Sequence, residues 1–292
     1  MNYAIEIKNL NKTFKDFKLN SVNLKLPKGS IMGLIGENGA GKTTLIKLLL
    51  GLQNPDNDSI LKDDSSSLKQ SVSVLGYDLK NFPIDAKEDI GVVLDDCCFP
   101  ENLNIAQINL FMSKLYKNWD TSCFNGYIEC FNLPVKKSVK ALSKGMKMKL
   151  SIAAALSHNA KLLVLDEPTA GLDPVIRDEI LDVFMEFIQN EEHSILISSH
   201  ITSDLEKICD YITFINNGNI LLSAVKDDIL ADYGILKCSN DELKLVDSNA
   251  ILGYKRNSFG VSALVNRKLI TGNFIIDNAN LEEILLYSVR GN

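Results

Sequence analysis

One glycine-rich segment of the sequence has the residue types and the spacing to hold phosphate groups. In GENGAGKTT, a glycine is followed by four residues and then by Gly-Lys-Thr. The glycines let successive backbone N–H groups curve around phosphate oxygens, the lysine reaches the β- and γ-phosphates, and the next hydroxyl is a ligand for Mg²⁺. The predicted phosphate site consists of Gly36, Asn38, Gly39, Ala40, Gly41, Lys42, Thr43 and Thr44.

Two adjacent carboxylates supply the other half of this chemistry. Asp166 and Glu167 follow the apolar run LLVL, at the carboxyl end of a predicted buried strand. One carboxylate can hold Mg²⁺ while its neighbour polarises an attacking water, so the pair suits hydrolysis better than storage of a phosphate. A structural turn ahead of Pro168 is the alternative interpretation.

The apolar pattern predicts the elements that position these residues. Runs with the length of buried strands occur at 29–36, 89–93, 160–168 and 193–200. Helical patterns begin at Lys42 and extend over 173–188, where Asp173 is the predicted N-cap. Because strand, helix and strand alternate, we predict βαβ units and parallel pairing.

Other segments predict antiparallel strands, a helical region and a loop. Alternating residues at 3–7 and 21–26 predict half-buried antiparallel strands, and Asn217-Gly218 predicts a hairpin turn. A largely helical stretch is predicted from about 104 to 158. Most of the Asp-, Ser- and Asn-rich segment at 54–73 is predicted to be a solvent loop.

Composition argues against several classes of protein. The 292 residues include 31 basic and 37 acidic ones, a net charge of -6, so a nucleic-acid partner is not expected. The six cysteines contain no CxxC pair, which argues against a zinc site or a disulfide framework. The N-terminus lacks the apolar region of a signal peptide, and no run approaches the length of a membrane span.

Four further motifs, together with the two sites above, resemble the ATP-binding subunits of ABC transporters over roughly residues 3 to 222. LSKGM at 142–146 resembles the signature segment, usually Leu-Ser-Gly-Gly-Gln, and AGLD at 170–173 resembles the D-loop. His200, ending ILISSH, corresponds to the switch histidine, and Phe14, in NKTF, to the aromatic residue that stacks on adenine. Such an ordered set of motifs is highly specific.

The resemblance implies that the chain binds ATP and Mg²⁺ and hydrolyses ATP in a dimer. In such proteins two subunits pair head to tail, and the signature of one covers the γ-phosphate held by the other. Ser143 and the backbone N–H of Gly145 are therefore expected to contact the partner's ATP, with Asp173 of the D-loop also at the nucleotide. Glu167 is expected to activate the water, and His200 to read the γ-phosphate.

Two places depart from the usual pattern of the family. Lys144 and Met146 stand where the signature normally has Gly and Gln. Asp95, after IGVVL, stands where the family normally has a Gln that touches the metal and relays to the membrane partner. A carboxylate is a stronger Mg²⁺ ligand than an amide, so Asp95 is predicted to be a metal ligand. With Thr43 and Asp166, it completes the predicted set of metal ligands.

The resemblance also implies a fold and an assembly. The expected fold is an α/β P-loop NTPase with a mixed sheet core, an antiparallel β subdomain and a helical subdomain. We predict a nucleotide-binding domain over 1–223, with its helical subdomain at about 96–158, and a small C-terminal appendage at 224–292. The chain is expected to form a homodimer or heterodimer of nucleotide-binding subunits. Integral membrane permease subunits are the expected further partners. The expected location is cytoplasmic, peripheral on the inner face of the cell membrane.

The subfamily is indicated by segments such as VVLDDCCFPENL and LSKGMKMKL, which look like bacterial exporters linked to antimicrobial peptides or envelope stress. The alternative is a non-transport ABC ATPase acting on nucleic acid or a protein complex. The single nucleotide-binding domain, the lack of a long heptad insertion and the acidic balance argue against it. A small-molecule kinase with a P-loop would leave the signature, the D-loop and His200 unexplained.

Two local features have open interpretations. Trp119 either belongs to the surface that meets the membrane partner or packs at a helix end. A run of lysines predicts a solvated face or, as a secondary interpretation, a site near phosphates or acidic lipid; its members are Lys136, Lys137, Lys140, Lys144, Lys147 and Lys149.

Overall fold

An antiparallel sheet forms from the first strands of the chain. The computed structural model describes residues 3–56, 69–258 and 260–290. In spatial order, the strands of this sheet are β2 (Lys18–Pro27), β1 (Tyr3–Thr13), β4 (Ser71–Val74) and β5 (Tyr77–Asp78). Buried residues recur along β1 and alternate with exposed ones along most of β2, and the two strands pair antiparallel. The predicted strands at 3–7 and 21–26 are confirmed.

Strand β4 corrects the carboxyl end of the loop predicted at 54–73. Its sequence, Ser-Val-Ser-Val, buries Val72 and Val74 on one face and pairs antiparallel with Ile5 to Lys8 of β1. Four alternating residues directly after a polar run were too short a pattern to separate from the loop. Residues 57–68 of the predicted loop lie outside the described residues.

The central sheet has six strands in the described chain. In spatial order they are β10 (Asn219–Val225), β9 (Tyr211–Asn216), β3 (Ile31–Ile35), β8 (Ser194–Ser199), β7 (Leu162–Asp166) and β6 (Ile90–Val93). The last five of these pair in parallel, which confirms the prediction, and β10 is antiparallel after the predicted Asn217-Gly218 turn. Every residue of β3, β7 and β8 is buried, as expected for strands covered on both faces.

Three helices begin just beyond one edge of this sheet. α1 (Lys42–Leu49) follows β3, α6 (Pro174–Phe187) follows β7, and α7 (Thr202–Ile208) follows β8. Asp173 caps α6 as predicted, accepting hydrogen bonds from two backbone N–H groups. Because the carboxyl ends of parallel strands meet at the same edge, the residues before these helices are brought together.

The helical region predicted at about 104 to 158 consists of three longer helices. They are α3 (Ile105–Leu115), α4 (Thr121–Cys130) and α5 (Lys144–Leu156), and the short α2 (Ile84–Lys87) precedes them. Asn104 and Gln107 form a capping box at the start of α3, and Asp120 caps α4. Trp119 donates a hydrogen bond to Asn109 over 2.8 Å and lies 5.2 Å from the Phe124 ring, which supports the packed interpretation.

The C-terminal part forms a third sheet with flanking helices. Its elements are α8 (Lys226–Asp232), β11 (Tyr233–Cys238), α9 (Asn240–Leu243), β12 (Ile251–Asn257), β13 (Gly260–Asn266), β14 (Ile276–Asn278) and α10 (Leu281–Arg290). The strands are antiparallel in the order β12-β13-β11-β14. Leu281 and Ile284 of α10 are buried in the same apolar cluster as Ile195 of β8. The predicted appendage therefore shares a core with the rest, while a division near residue 223 stays a prediction.

The helices have no span suited to a bilayer. Within residues 3–56, 69–258 and 260–290, none combines the length with the apolar composition needed to cross a membrane.

Candidate ATP-binding site

The phosphate-binding loop joins β3 to α1 and includes two glycines that leave no room for a Cβ without displacement of their neighbours. Gly41 has φ of 114°, and a Cβ there would lie 2.8 Å from both Leu19 Cδ2 and Phe17 Cζ. At Gly36 a Cβ would lie 2.4 Å from the carbonyl oxygen of Ile215. Strand β9, strand β2 and the segment just before β2 therefore pack directly against the loop, which fixes its curvature.

Lys42 is folded back over its own loop. Its side chain is only 6% exposed, and Nζ donates a hydrogen bond to the Gly36 carbonyl oxygen over 2.7 Å. The same Nζ lies 3.2 Å from Glu167 Oε1. One ammonium group thus links the phosphate-binding loop to the acidic pair at the end of β7.

Asp166 is held between the loop and the neighbouring strand β8. Thr43 Oγ1 donates to Asp166 Oδ2 over 2.8 Å, and Ser198 Oγ donates to Asp166 Oδ1 over 2.6 Å. Asp166 is 2% exposed, so these two hydrogen bonds are what offset the burial of its carboxylate. Ser198 is a residue of the site that the sequence did not reveal; its only signal was a hydroxyl two positions before His200 in a buried strand.

Glu167 is oriented by an unusual backbone conformation and by His200. Its φ is 52°, in the left-handed region that a residue with a side chain enters rarely. Its N–H donates to Ser198 Oγ over 3.1 Å, and its Oε2 lies 2.7 Å from His200 Nδ1. The backbone N–H of His200 also approaches Oε2, at 3.3 Å.

The opposite oxygen of Glu167 has an ion-pair partner but no hydrogen bond within the described part of the chain. Oε1 is buried and accepts no hydrogen bond among the described residues, although Lys42 Nζ is near it. The carboxylate therefore has one oxygen anchored by His200 and one facing the loop that would hold phosphates.

The two aromatic candidates near the N-terminus differ in exposure. Phe17 packs against the loop at Gly41, whereas Phe14 is 40% exposed, with ring centroids 6.3 Å apart. The Phe14 N–H donates to the Phe17 carbonyl oxygen over 2.7 Å, which forms the turn between β1 and β2. The exposure of Phe14 leaves its ring accessible, and its stacking on adenine stays a prediction.

The signature segment forms the start of α5. Ser143 is its N-cap and accepts a hydrogen bond from the Met146 N–H over 3.3 Å. Gly145 is buried against α6, so closely that an added Cβ would lie 3.1 Å from Ile176 Cδ1. The first N–H groups of α5, including that of Gly145, have no partner within the helix. The starts of α5 and α6 thus lie side by side, with Asp173 capping the second.

The predicted site residues fall into two groups. Contacts join the phosphate-binding loop, Asp166, Glu167 and His200 into one network. Across the described ranges, no hydrogen bond or ion pair connects Ser143 with that network; its hydroxyl bonds within α5. Within one chain, the signature segment and the phosphate-binding loop are separate half-sites.

Asp95 and Lys144, two of the departures from the family pattern, face each other. Asp95 Oδ1 lies 3.6 Å from Lys144 Nζ, and both side chains are more than half exposed, at 57% and 55%. The carboxylate predicted as a metal ligand is therefore paired with a lysine of the signature segment.

One lysine of the predicted solvated run is buried instead. Lys149 is 8% exposed, forms an ion pair with Glu179 of α6, and lies 5.4 Å from the centre of the Phe131 ring. The prediction of a solvated face is wrong for this residue, because it lies on the side of α5 that packs against neighbouring helices.

Comparison with known proteins identifies ATP-binding proteins of ABC transporters as relatives of this chain. The family described as ABC transporter matches residues 19–170. Lantibiotic transport ATP-binding protein SrtF of Streptococcus pyogenes is 34% identical over 228 residues, covering 76% of this chain and 91% of SrtF. Bacitracin transport ATP-binding protein BcrA of Enterococcus faecalis is 33% identical over 224 residues, covering 76% of this chain and 69% of BcrA.

Solved structures agree with this. An ATP-binding subunit of an ABC transporter is 26% identical, with a TM-score of 0.66 over 78% of this chain and 92% of that one. The ATP-binding cassette MJ0796, bound to ADP and Pi, has a TM-score of 0.64 over 76% of this chain and 98% of its own; at 18% identity it supports the fold alone.

These similarities confirm the predicted α/β P-loop NTPase fold, with its mixed central sheet and antiparallel and helical parts. They also confirm the family that the motifs indicated, because the matched region spans more than half of the chain and includes both Lys42 and Asp166. The chain belongs to the ABC transporter family, as one of its ATP-binding domains.

Proposed function

We propose that the chain hydrolyses Mg-ATP in a dimer of nucleotide-binding subunits and powers export through separate membrane-spanning permease subunits. The observation that carries this proposal is the network of Lys42, Glu167 and His200. Glu167 has one oxygen 2.7 Å from His200 Nδ1 and the other 3.2 Å from the lysine of the phosphate-binding loop. A carboxylate held in this way can accept a proton from a water beside a bound γ-phosphate.

The residues present fit a magnesium ion. Thr43 and Asp166 offer a hydroxyl and a buried carboxylate, the hard oxygen ligands that Mg²⁺ takes beside nucleotide phosphates. When bound, Mg²⁺ neutralises negative charge on the β- and γ-phosphate oxygens. Asp95 is a third candidate ligand, and this role requires its pair with Lys144 to open.

The remaining steps belong to the chain's own groups. Lys42 and the N–H groups from Gly36 to Thr44 hold the phosphates, and Phe14 stacks on the adenine. Glu167 orients a water and takes its proton as the water oxygen bonds to the γ-phosphorus and the bond to the β-phosphate oxygen breaks. His200 keeps Glu167 in place and contacts the γ-phosphate.

The dimer completes the site. Ser143, Gly145 and Asp173 are proposed to face ATP held by the phosphate-binding loop of the partner subunit, because their own chain keeps Ser143 apart from that loop. A homodimer would contain two complete sites, and a heterodimer with a related chain is equally compatible with this arrangement.

The transport role is supported by the relatives. The names of SrtF and BcrA assign them to lantibiotic and bacitracin transport, so a peptide antibiotic is the proposed class of cargo. The permease partner would place this chain on the cytoplasmic face of the membrane. A non-transport ATPase acting on nucleic acid is not favoured, since the net charge is -6.

The test is Glu167→Gln, which preserves the shape of the side chain and removes its basicity. We expect steady-state ATP hydrolysis to fall by about 10²-fold or more while ATP binding and ATP-dependent dimerisation persist. Phosphate release and size-exclusion chromatography with ATP measure the two effects. Glu192→Gln, at an exposed glutamate paired with Lys28, is the matched control. Undiminished hydrolysis by Glu167→Gln would refute the assigned role.

A further inference from the structure

An ion pair with a buried carboxylate joins α6, which follows the D-loop, to α7, which follows His200. Arg177 lies in the first turn of α6, and its backbone N–H bonds to the Asp173 carbonyl oxygen over 3.0 Å. Asp204 lies in the first turn of α7, which begins two residues after His200. Arg177 Nε donates to Asp204 Oδ2 over 3.3 Å, and Arg177 Nη2 donates to Oδ1. The guanidinium thus binds both carboxylate oxygens.

This pair differs in burial from another ion pair between the same two helices. The Asp204 side chain is 5% exposed and that of Arg177 is 24% exposed. Lys207 and Asp178, which also join α7 to α6, are 50% and 64% exposed. A buried carboxylate without its partner is strongly unfavourable, whereas an exposed pair contributes little. Of these two ion pairs, the Arg177–Asp204 pair is therefore the one expected to hold the two helices in position.

Within the described residues, Asp204 makes the one side-chain ion pair in the first turn of α7. No side chain caps α7, and its N-cap residue, Ile201, is held by a hydrogen bond from its N–H to Ser199 Oγ over 2.9 Å. The far part of α7 is tied elsewhere: Lys226 Nζ donates to the Glu206 carbonyl oxygen over 2.8 Å. The side of the helix nearest His200 is thus fixed by Asp204.

We infer that Arg177 and Asp204 are positioning residues for ATP hydrolysis. Their ion pair ties the D-loop helix to the helix behind His200, so that Asp173 and His200 keep a fixed relation. His200 orients Glu167 through a contact of 2.7 Å between Nδ1 and Oε2. The Arg177–Asp204 ion pair therefore acts on the reaction through His200 and does not touch the nucleotide. This inference rests on the proposed role of His200 at the site.

The experiment compares Arg177→Ala, Arg177→Lys and Asp204→Asn with the control Lys207→Ala, which removes the exposed pair between the same helices. We expect Arg177→Ala to lower kcat about tenfold with an unchanged KM for ATP, since misplacing a catalytic group by a fraction of an ångström costs rate while Lys42 and Thr43 are untouched. The kcat of Arg177→Lys should be intermediate, because lysine keeps the positive charge but cannot donate to both carboxylate oxygens as the guanidinium does. Lys207→Ala should stay within about twofold of wild type.

A double variant separates positioning from general stability. If Arg177 acts through His200, Arg177→Ala combined with His200→Ala should be no slower than His200→Ala alone. All rates are measured well below the Tm of each variant, and Asp204→Asn, which keeps the shape of the side chain, provides the second series.

The outcomes distinguish this inference from the proposed function. Equal rates for Arg177→Ala and Lys207→Ala, or losses that multiply in the double variant, would overturn the inference while Glu167→Gln remains inactive. Full activity of Glu167→Gln measured alongside would instead count against the proposed function itself.

Discussion

The half-site around Lys42 and the half-site around Ser143 differ in how complete they are within one chain. At the first, Lys42 and Asp166 are 6% and 2% exposed and each contacts another member of the site. At the second, Ser143 is exposed and its hydroxyl bonds only to its own helix, over 3.3 Å. This difference supports the proposed dimer, in which one half would enclose its ligand and the other would present a surface to a second subunit.

The signature half-site is exposed but not loose, because the opposite end of α5 is buried. Just beyond α5, His158 is 2% exposed, stacks on Tyr116 with ring centroids 4.3 Å apart, and has Nδ1 2.9 Å from the Glu88 carbonyl oxygen. Gly145 is fixed against Ile176 at the other end. The helix thus holds an outward-facing serine on a rigid support.

The largest expected effect comes from disabling the Lys42 half-site in one subunit and the Ser143 half-site in the other. Lys42→Ala and Ser143→Arg should each abolish hydrolysis alone. Mixed dimers contain one site with both halves intact, so a mixture should recover about a quarter of wild-type activity if subunits pair at random. Phosphate release from separate and mixed proteins measures this. A mixture as inactive as its components would mean that both halves act within one chain.

The second prediction tests the enclosed half. Thr43→Val removes the hydroxyl that donates to Asp166 and should weaken Mg²⁺-dependent ATP binding by about tenfold, because a buried carboxylate loses a donor and the metal loses a ligand. Binding measured in EDTA should change much less. Thr169→Val is the matched control, since the Thr169 hydroxyl is buried without a partner in the described structure. An equal effect in both variants would contradict the assignment.

The third prediction concerns Asp95, which lies beside Lys144 of the signature segment. If Asp95 leaves Lys144 to hold the metal, Asp95→Ala should raise the Mg²⁺ concentration required for half-maximal hydrolysis severalfold. The neighbouring Asp96→Ala serves as the control. An unaltered Mg²⁺ dependence in Asp95→Ala would end the metal role and leave Asp95 as an exposed partner of the signature lysine, with an expected stabilisation below about 1 kcal/mol.

The smallest expected effect concerns the buried end of α5. Burial lowers the pKa of His158 below its usual value near 6.5. The unfolded chain therefore binds a proton that the folded chain excludes, so the free energy of unfolding should fall as pH drops below about 6.5, by at most about 1.4 kcal/mol per pH unit. Urea unfolding of wild type and His158→Asn at several pH values measures the slope. The same slope in both proteins would show that other groups cause it.

The sequence predicted the enclosed half-site well because its chemistry depends on local spacing. The glycine pattern, the helix from Lys42 and the strand ending at Asp166 are contiguous in the chain, and the structure has them where predicted. Their mutual contacts follow from parallel strands ending at one edge. The catalytic and binding roles assigned to individual residues stay predictions.

What the sequence missed depends on contacts between distant segments. Ser198 bonds to Asp166 from a neighbouring strand, and Asp95 meets Lys144, which is 49 positions later in the sequence. Lys149 was misread because nothing in a run of lysines reveals which side chain faces a helix such as α6. The C-terminal sheet was not predicted, since its short strands lack strong turn signals and gain their burial from each other.

The shared ammonium group of Lys42 has a consequence for timing. If Glu167 is the general base proposed above, Lys42 is its counter-ion, at 3.2 Å. A phosphate that binds in the loop would then compete for the same ammonium group and release the carboxylate. In the proposed mechanism, the base would therefore become available only after the substrate has bound.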